Sequence, residues 1–109
     1  MNIDKAGRLL AALDLLTDAT NPDFTIRQLR ILLLIGATGE AGAQAPTLQK
    51  RTGSTQSAVS RTVKLLDKVS GYGFTENALD PHDMRARVIR ITTKGERLLS
   101  RMLGEIDKG

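Results

Sequence analysis

The sequence predicts a mainly α-helical domain carrying a small β-hairpin, and three observations predict it. Apolar residues recur at spacings of three and four through "IDKAGRLLAALDLL" and again through "IRQLRILLLI", the rhythm of a buried helical stripe. A short helical segment, a turn at Gly53 and a second helical segment follow between Pro46 and Lys68. After "GYG" (Gly71 to Gly73) the period changes, and "RARVIRIT" alternates as a strand does. At 109 residues the chain suits one domain, residues 1–109, with a modest core.

The elements follow in order. Ile3, Ala6, Leu9, Leu10, Leu13 and Leu16 form the stripe of a first helix, expected over 3–19 and stopped before the turn signal "TNPD". Thr25 and Gln28 make a capping box that opens a second helix. Ile26, Leu29 and the run Ile31–Ile35 send that helix across the centre of the core, to an end at Gly36. "GATGEAGAQ" (Gly36 to Gln44) reads as a loop of small residues, and Pro46 as the first residue of a short third helix with Leu48 facing in.

Thr55 is placed to cap a fourth helix running toward Lys68, with Val59, Val63 and Leu66 on its buried side. "FTENA" is expected as a strand, "DPHDM" as a turn, and the returning strand carries Arg87, Ile89 and Ile91 on one side. Thr92 or Thr93 caps a last helix over 93–107, with Leu98, Leu99, Met102 and Ile106 as its stripe. Glu96 is placed to close a capping box with Thr93. Two short helices joined by a glycine turn and followed by a hairpin make a winged helix-turn-helix.

The outer face of the fourth helix carries chemistry. Gln56, Ser57, Ser60, Arg61 and Lys64 all donate hydrogen bonds, and no acid is mixed among them. Such a face suits base edges and phosphates when the helix lies in a major groove. Charge is uneven along the chain in the same sense. Residues 1–44 carry four Lys/Arg against five Asp/Glu, residues 45–94 nine against four, and residues 95–109 three of each. A basic band on the middle of the chain fits an anionic partner, and equally a solvated surface. Three aromatic residues are too few for base stacking to be the main mode of binding.

Other classes find little support. There is no cysteine, hence no disulfide or thiolate chemistry. No apolar run approaches a membrane span, and the N-terminal stretch "MNIDKAGRLL" lacks a signal-peptide layout, so a soluble cytoplasmic protein without membrane attachment is expected. His82 is the one histidine; a single histidine in a turn lacks convergent metal ligands and leaves Ser57 and Ser60 without a base in sequence. "GATGEAG" is no phosphate loop. Neither an enzyme nor a cofactor-binding protein is expected.

"TQSAVSRTVKLLDK" followed by "DPHDMRARVIRITTKGERLL" resembles the recognition helix, wing and last-helix start of the MarR family. The family's wing reads D-x-R-x-x-x-(V/I)-x-(L/I)-T. Here Asp83, Arg85, Ile89, Ile91 and Thr92 hold those positions, and the match covers most of residues 25–103. The resemblance implies a homodimer on a pseudo-palindromic operator, usually a repressor. It implies that Arg85 enters the minor groove and that Asp83 orients it, which suits the negative potential of a narrow groove.

Gln56, Ser57, Ser60, Arg61 and Lys64 take the groove-facing positions, Arg61 for guanine and Gln56 for adenine or phosphate. Lys64, Lys50, Arg51 and Lys68 are expected on phosphates, and Arg87 on the wing is expected as a further DNA-binding residue. Asn77 and Ala78 stand where the family commonly has basic residues, and "GYGF" adds small residues after the fourth helix. The terminal helices, 3–19 and 93–107, are expected to pair two copies; the alternative is that their stripes close the monomer's own core. They are shorter than the family's usual dimer lobe, which disfavours a small-molecule effector. Two other readings stand beside the operator-binding regulator. One is a non-specific, architectural DNA binder; the other is a compact winged helix, of phage or mobile-element type, that docks onto a protein. Met84 suits either a wedge between bases or a contact under the hairpin.

Overall fold

The computed structural model describes residues 1–108, in the order α1 (Ile3–Ala19), α2 (Ile26–Ala37), α3 (Ala45–Thr52), α4 (Gln56–Leu66), β1 (Thr75–Leu79), β2 (Arg87–Ile91) and α5 (Thr93–Asp107). A single 3₁₀ turn, Gly39–Ala41, interrupts the loop after α2. The five helices and the two-stranded antiparallel hairpin make the mainly α fold with a small wing that the sequence predicts.

Local chemistry starts each helix. Asn2 caps α1 by accepting from the Lys5 amide. The Thr25–Gln28 box forms in full: the Gln28 amide donates to Thr25 Oγ1 at 3.1 Å and the Thr25 amide to Gln28 Oε1 at 2.8 Å. Thr55 caps α4 through the Ala58 amide. At α5 the cap is Thr92, accepting from Gly95, so Glu96 closes no box with Thr93. Thr92 also donates to the Gly73 carbonyl at 2.6 Å, and that second bond holds it at the helix start. The third helix begins one residue before Pro46, which stands in its first turn.

The fourth helix is shorter than its sequence suggests. It stops at Leu66 because Asp67 leaves helical geometry (ψ 147°) and its carboxylate accepts from the Val69 amide at 2.9 Å. The following chain is tied back by Tyr72 and Phe74 amides donating to the Leu65 and Leu66 carbonyls.

One core serves the whole molecule. Ile31, Leu32 and Ile35 of α2 are fully buried at its centre, joined by Leu48, Val59, Leu66, Phe74, Leu98 and Met102. Each such side chain contributes roughly 1.5–3 kcal/mol of burial. β1 and β2 pair in register from Thr75 opposite Ile91 to Leu79 opposite Arg87. Simple alternation fails on β2, where Val88 and Ile89 are both buried. The cause lies in the loop after α2: Ala43 exchanges two backbone hydrogen bonds with Ile89, at 2.9 and 2.8 Å, and Gly42 packs on Val88. The small-residue loop therefore adds a third, single-residue strand along the free edge of β2 and covers Val88.

The start of α1 lies beside the end of α5, where Arg8 donates to the Lys108 carbonyl. Only part of the first helix's stripe is used inside: Leu16 is buried, while Ile3, Leu9 and Leu10 are exposed. On α5, Leu98, Leu99 and Met102 are buried, but Leu103 and Ile106 face outward. No helix is long and apolar enough to cross a membrane among the described residues.

Candidate nucleic-acid interface

The turn between α3 and α4 sets the interface. Gly53 ends α3 in the left-handed conformation (φ +63°), a backbone that only glycine adopts without strain. The Thr52 hydroxyl lies 2.6 Å from that of Ser54, stiffening the corner. From there α4 turns one face to the core through Ala58, Val59, Thr62 and Leu66. Gln56, Ser57, Ser60, Arg61 and Lys64 all stand on the exposed side. The separation follows from the 3.6-residue period and leaves five donors presented together.

The wing forms the second wall. A groove of about 360 Å³ runs between α4 and the hairpin, lined among others by Gln56, Ser60, Lys64, Asn77 and Arg87. Arg87 is exposed at the far end of β2, opposite Leu79. The hairpin's tip is ordered by its own acids. Asp80 accepts from the His82 amide at 2.8 Å, and Asp83 from the Arg85 amide at 3.1 Å. The His82 amide, and after it the Gln44 side chain, hold the Asp80 carboxyl below the usual carboxylate range.

At the very tip Arg85 is 94% exposed, and its Nε lies 3.3 Å from Asp83 Oδ1. A carboxylate held in place by the backbone thus orients an otherwise free guanidinium. Met84 beside it stands exposed.

The basic residues differ in how far their charge is already met. Lys50, Arg51, Arg61, Lys64 and Arg87 are exposed and have no carboxylate within 4 Å among the described residues. Lys68 is different. It lies beyond the end of α4, and its Nζ sits 2.8 Å from Glu76 Oε2 on β1. That hydrogen bond raises the Lys68 pKa and lowers that of Glu76. Arg90 approaches the other Glu76 oxygen at 3.7 Å. Lys68 therefore ties the end of α4 to the wing before any partner arrives.

Glu76 and Ala43 are the two positioning residues that reading the sequence missed. Glu76 gains its role from the strand register, which sets it opposite Arg90; Ala43 carries no side-chain signal and acts through its backbone. No group of three or more potential metal ligands occurs among the described residues, and His82 stands alone at the surface.

No protein-family model and no curated protein matches the chain in sequence. Solved structures do match in shape. The transcriptional regulator Tm0710 from Thermotoga maritima is 26% identical with a TM-score of 0.72, covering 93% of this chain and 66% of its own. MepR from S. aureus, solved as a DNA complex, is 22% identical with a TM-score of 0.67, covering 94% and 73%. MarR itself is 23% identical with a TM-score of 0.60, covering 92% and 73%. The chain thus spans from about two thirds to three quarters of the length of these regulators.

Proposed function

We propose that this chain, which has the winged helix-turn-helix fold of the MarR-type regulators, is a transcriptional regulator that binds double-stranded DNA as a homodimer and represses from a pseudo-palindromic operator. One observation carries the reading: the exposed face of α4 is made of five donors with no acid, beside a wing whose tip holds out an oriented Arg85. In this reading α4 enters the major groove. Arg61 reads guanine, Gln56 an adenine or a phosphate, and Ser57 and Ser60 supply shorter contacts. Lys50, Arg51, Lys64 and Arg87 sit on phosphates, and Lys68 reaches them only by sharing its ammonium with Glu76. Arg85 enters the minor groove, held by Asp83.

Dimerisation is assigned to α1 and α5. Ile3, Leu9, Leu10, Leu103 and Ile106 are large aliphatic side chains left outside the core, and a second copy would cover them. Two α4 helices would then lie roughly 34 Å apart, one turn of duplex. MepR, solved as a DNA complex, is a structural parallel for this reading.

The test is a titration of a labelled mixed-sequence duplex with the purified chain, repeated across salt concentrations. Binding is expected at about 50 mM salt, weakening steeply with a log–log slope of several units. No binding at that salt overturns the reading and leaves a protein-docking wing in its place.

A further inference from the structure

One cation beside the helix-turn-helix belongs to neither α3, α4 nor the wing. Arg30 stands on the exposed side of α2, in the helix that builds the core. Its guanidinium reaches across to α3 and donates to the Arg51 carbonyl at 3.1 Å. Arg51 is in the last turn of α3, two residues before the left-handed Gly53 and four before the Thr55 cap of α4. Arg30 is therefore held against the corner from which the donor-bearing helix departs.

The partner it has chosen matters. A backbone carbonyl takes up one N–H and leaves the positive charge unneutralised, with the remaining donors of the fork free. No carboxylate lies within 4 Å of Arg30 among the described residues, and the same holds for its exposed neighbours Lys50 and Arg51. Anchoring also removes part of the rotamer entropy that a free arginine loses when it binds an anion. A duplex whose major groove, about 12 Å wide, takes in the first turn of α4 brings one phosphate wall up to the α3–α4 corner.

We propose that Arg30 is a further backbone-contacting residue, which extends the interface from α3 and α4 onto α2 and takes a phosphodiester of the DNA strand passing the α3–α4 corner. The proposal rests on the duplex-binding reading above. It assigns Arg30 to affinity and register, not to sequence choice, because phosphates carry no base information.

The test measures salt dependence with a labelled mixed-sequence duplex for the full chain and for Arg30→Gln, Arg30→Lys and Arg97→Gln. Arg30→Gln is expected to lower the log–log salt slope by roughly 0.9 per protomer and to weaken binding by the same factor on unrelated sequences. Arg30→Lys keeps the charge and is expected to keep the slope. Arg97→Gln removes an exposed cation of α5, away from the corner, and is expected to leave the slope unchanged.

An unchanged slope for Arg30→Gln overturns the proposal and makes Arg30 a clamp on α3, visible only as a lower melting temperature. So does an equal loss for Arg97→Gln, which would trace the effect to net charge. If Arg30→Gln does not fold, Arg30→Met, which keeps the apolar stem, reads the same slope. Failure of the unsubstituted chain to bind any duplex is a separate result, and it strikes the underlying reading rather than Arg30 alone.

Discussion

Arg61 and Lys64 occupy the same exposed face of α4, yet they are assigned different work, and substitution separates them. Arg61→Ala is expected to cost roughly 1–3 kcal/mol on the preferred site and to relax the preference at one base pair. An equal loss on every sequence would instead place Arg61 on a phosphate. Lys64→Ala is expected to lower the salt slope with little change in preference; an unaltered slope would remove Lys64 from the interface. Glu76 makes a prediction about pH. The Lys68 hydrogen bond holds its carboxyl below the ordinary range, so its stabilising contribution is present above that range. The contribution is lost as pH falls through the lowered value. The Lys68 side of the pair, raised, is lost only as pH rises through its own higher value. Melting temperature followed into acid is therefore expected to fall less steeply for Glu76→Gln than for the unsubstituted chain. Parallel curves would show that the bridge does not contribute to holding the wing.

Elements are where glycine geometry can be weighed. Gly53 has φ +63° but open space where a Cβ would stand, so Gly53→Ala carries the backbone cost alone, about 1–2 kcal/mol. Gly42 has φ +77° and would place a Cβ 2.8 Å from Val88 Cβ, pushing the loop off the wing. Gly42→Ala is expected to lower the melting temperature further than Gly53→Ala, and the reverse order would contradict the packing of that loop on β2. The helices were legible because each carries its own signal: a stripe, a capping box at Thr25 and Gln28, or a glycine stop. The end of α4 was not, because Asp67 halts it with a local hydrogen bond while the apolar pattern and the lysine beyond suggest continuation. The rung at Ala43 was hidden for another reason. Backbone pairing over one residue leaves no periodicity to read, and it buries Val88 on the side opposite Arg87, Ile89 and Ile91.

At the scale of the molecule the donors of α4 and the wing-tip pair Asp83–Arg85 were legible together, since both lie in short stretches of sequence. The Lys68–Glu76–Arg90 linkage and the reach of Arg30 to Arg51 join separate elements, and only the fold brings them into contact. The proposed assembly belongs to the same scale. Leu10 is 58% and Leu103 55% exposed, and both are assigned to the contact between copies. Leu10→Glu with Leu103→Glu is expected to give a folded monomer by sedimentation equilibrium; a dimer that persists would move the contact elsewhere. The central claim, that two copies of α4 read sequence in successive major grooves, is tested most directly by selection from a random duplex pool at near-physiological salt. Sequencing of the retained duplexes is predicted to yield an inverted repeat with half-site centres about one helical turn apart. Retention without any enriched motif, or enrichment of a single unrepeated half-site, would contradict it.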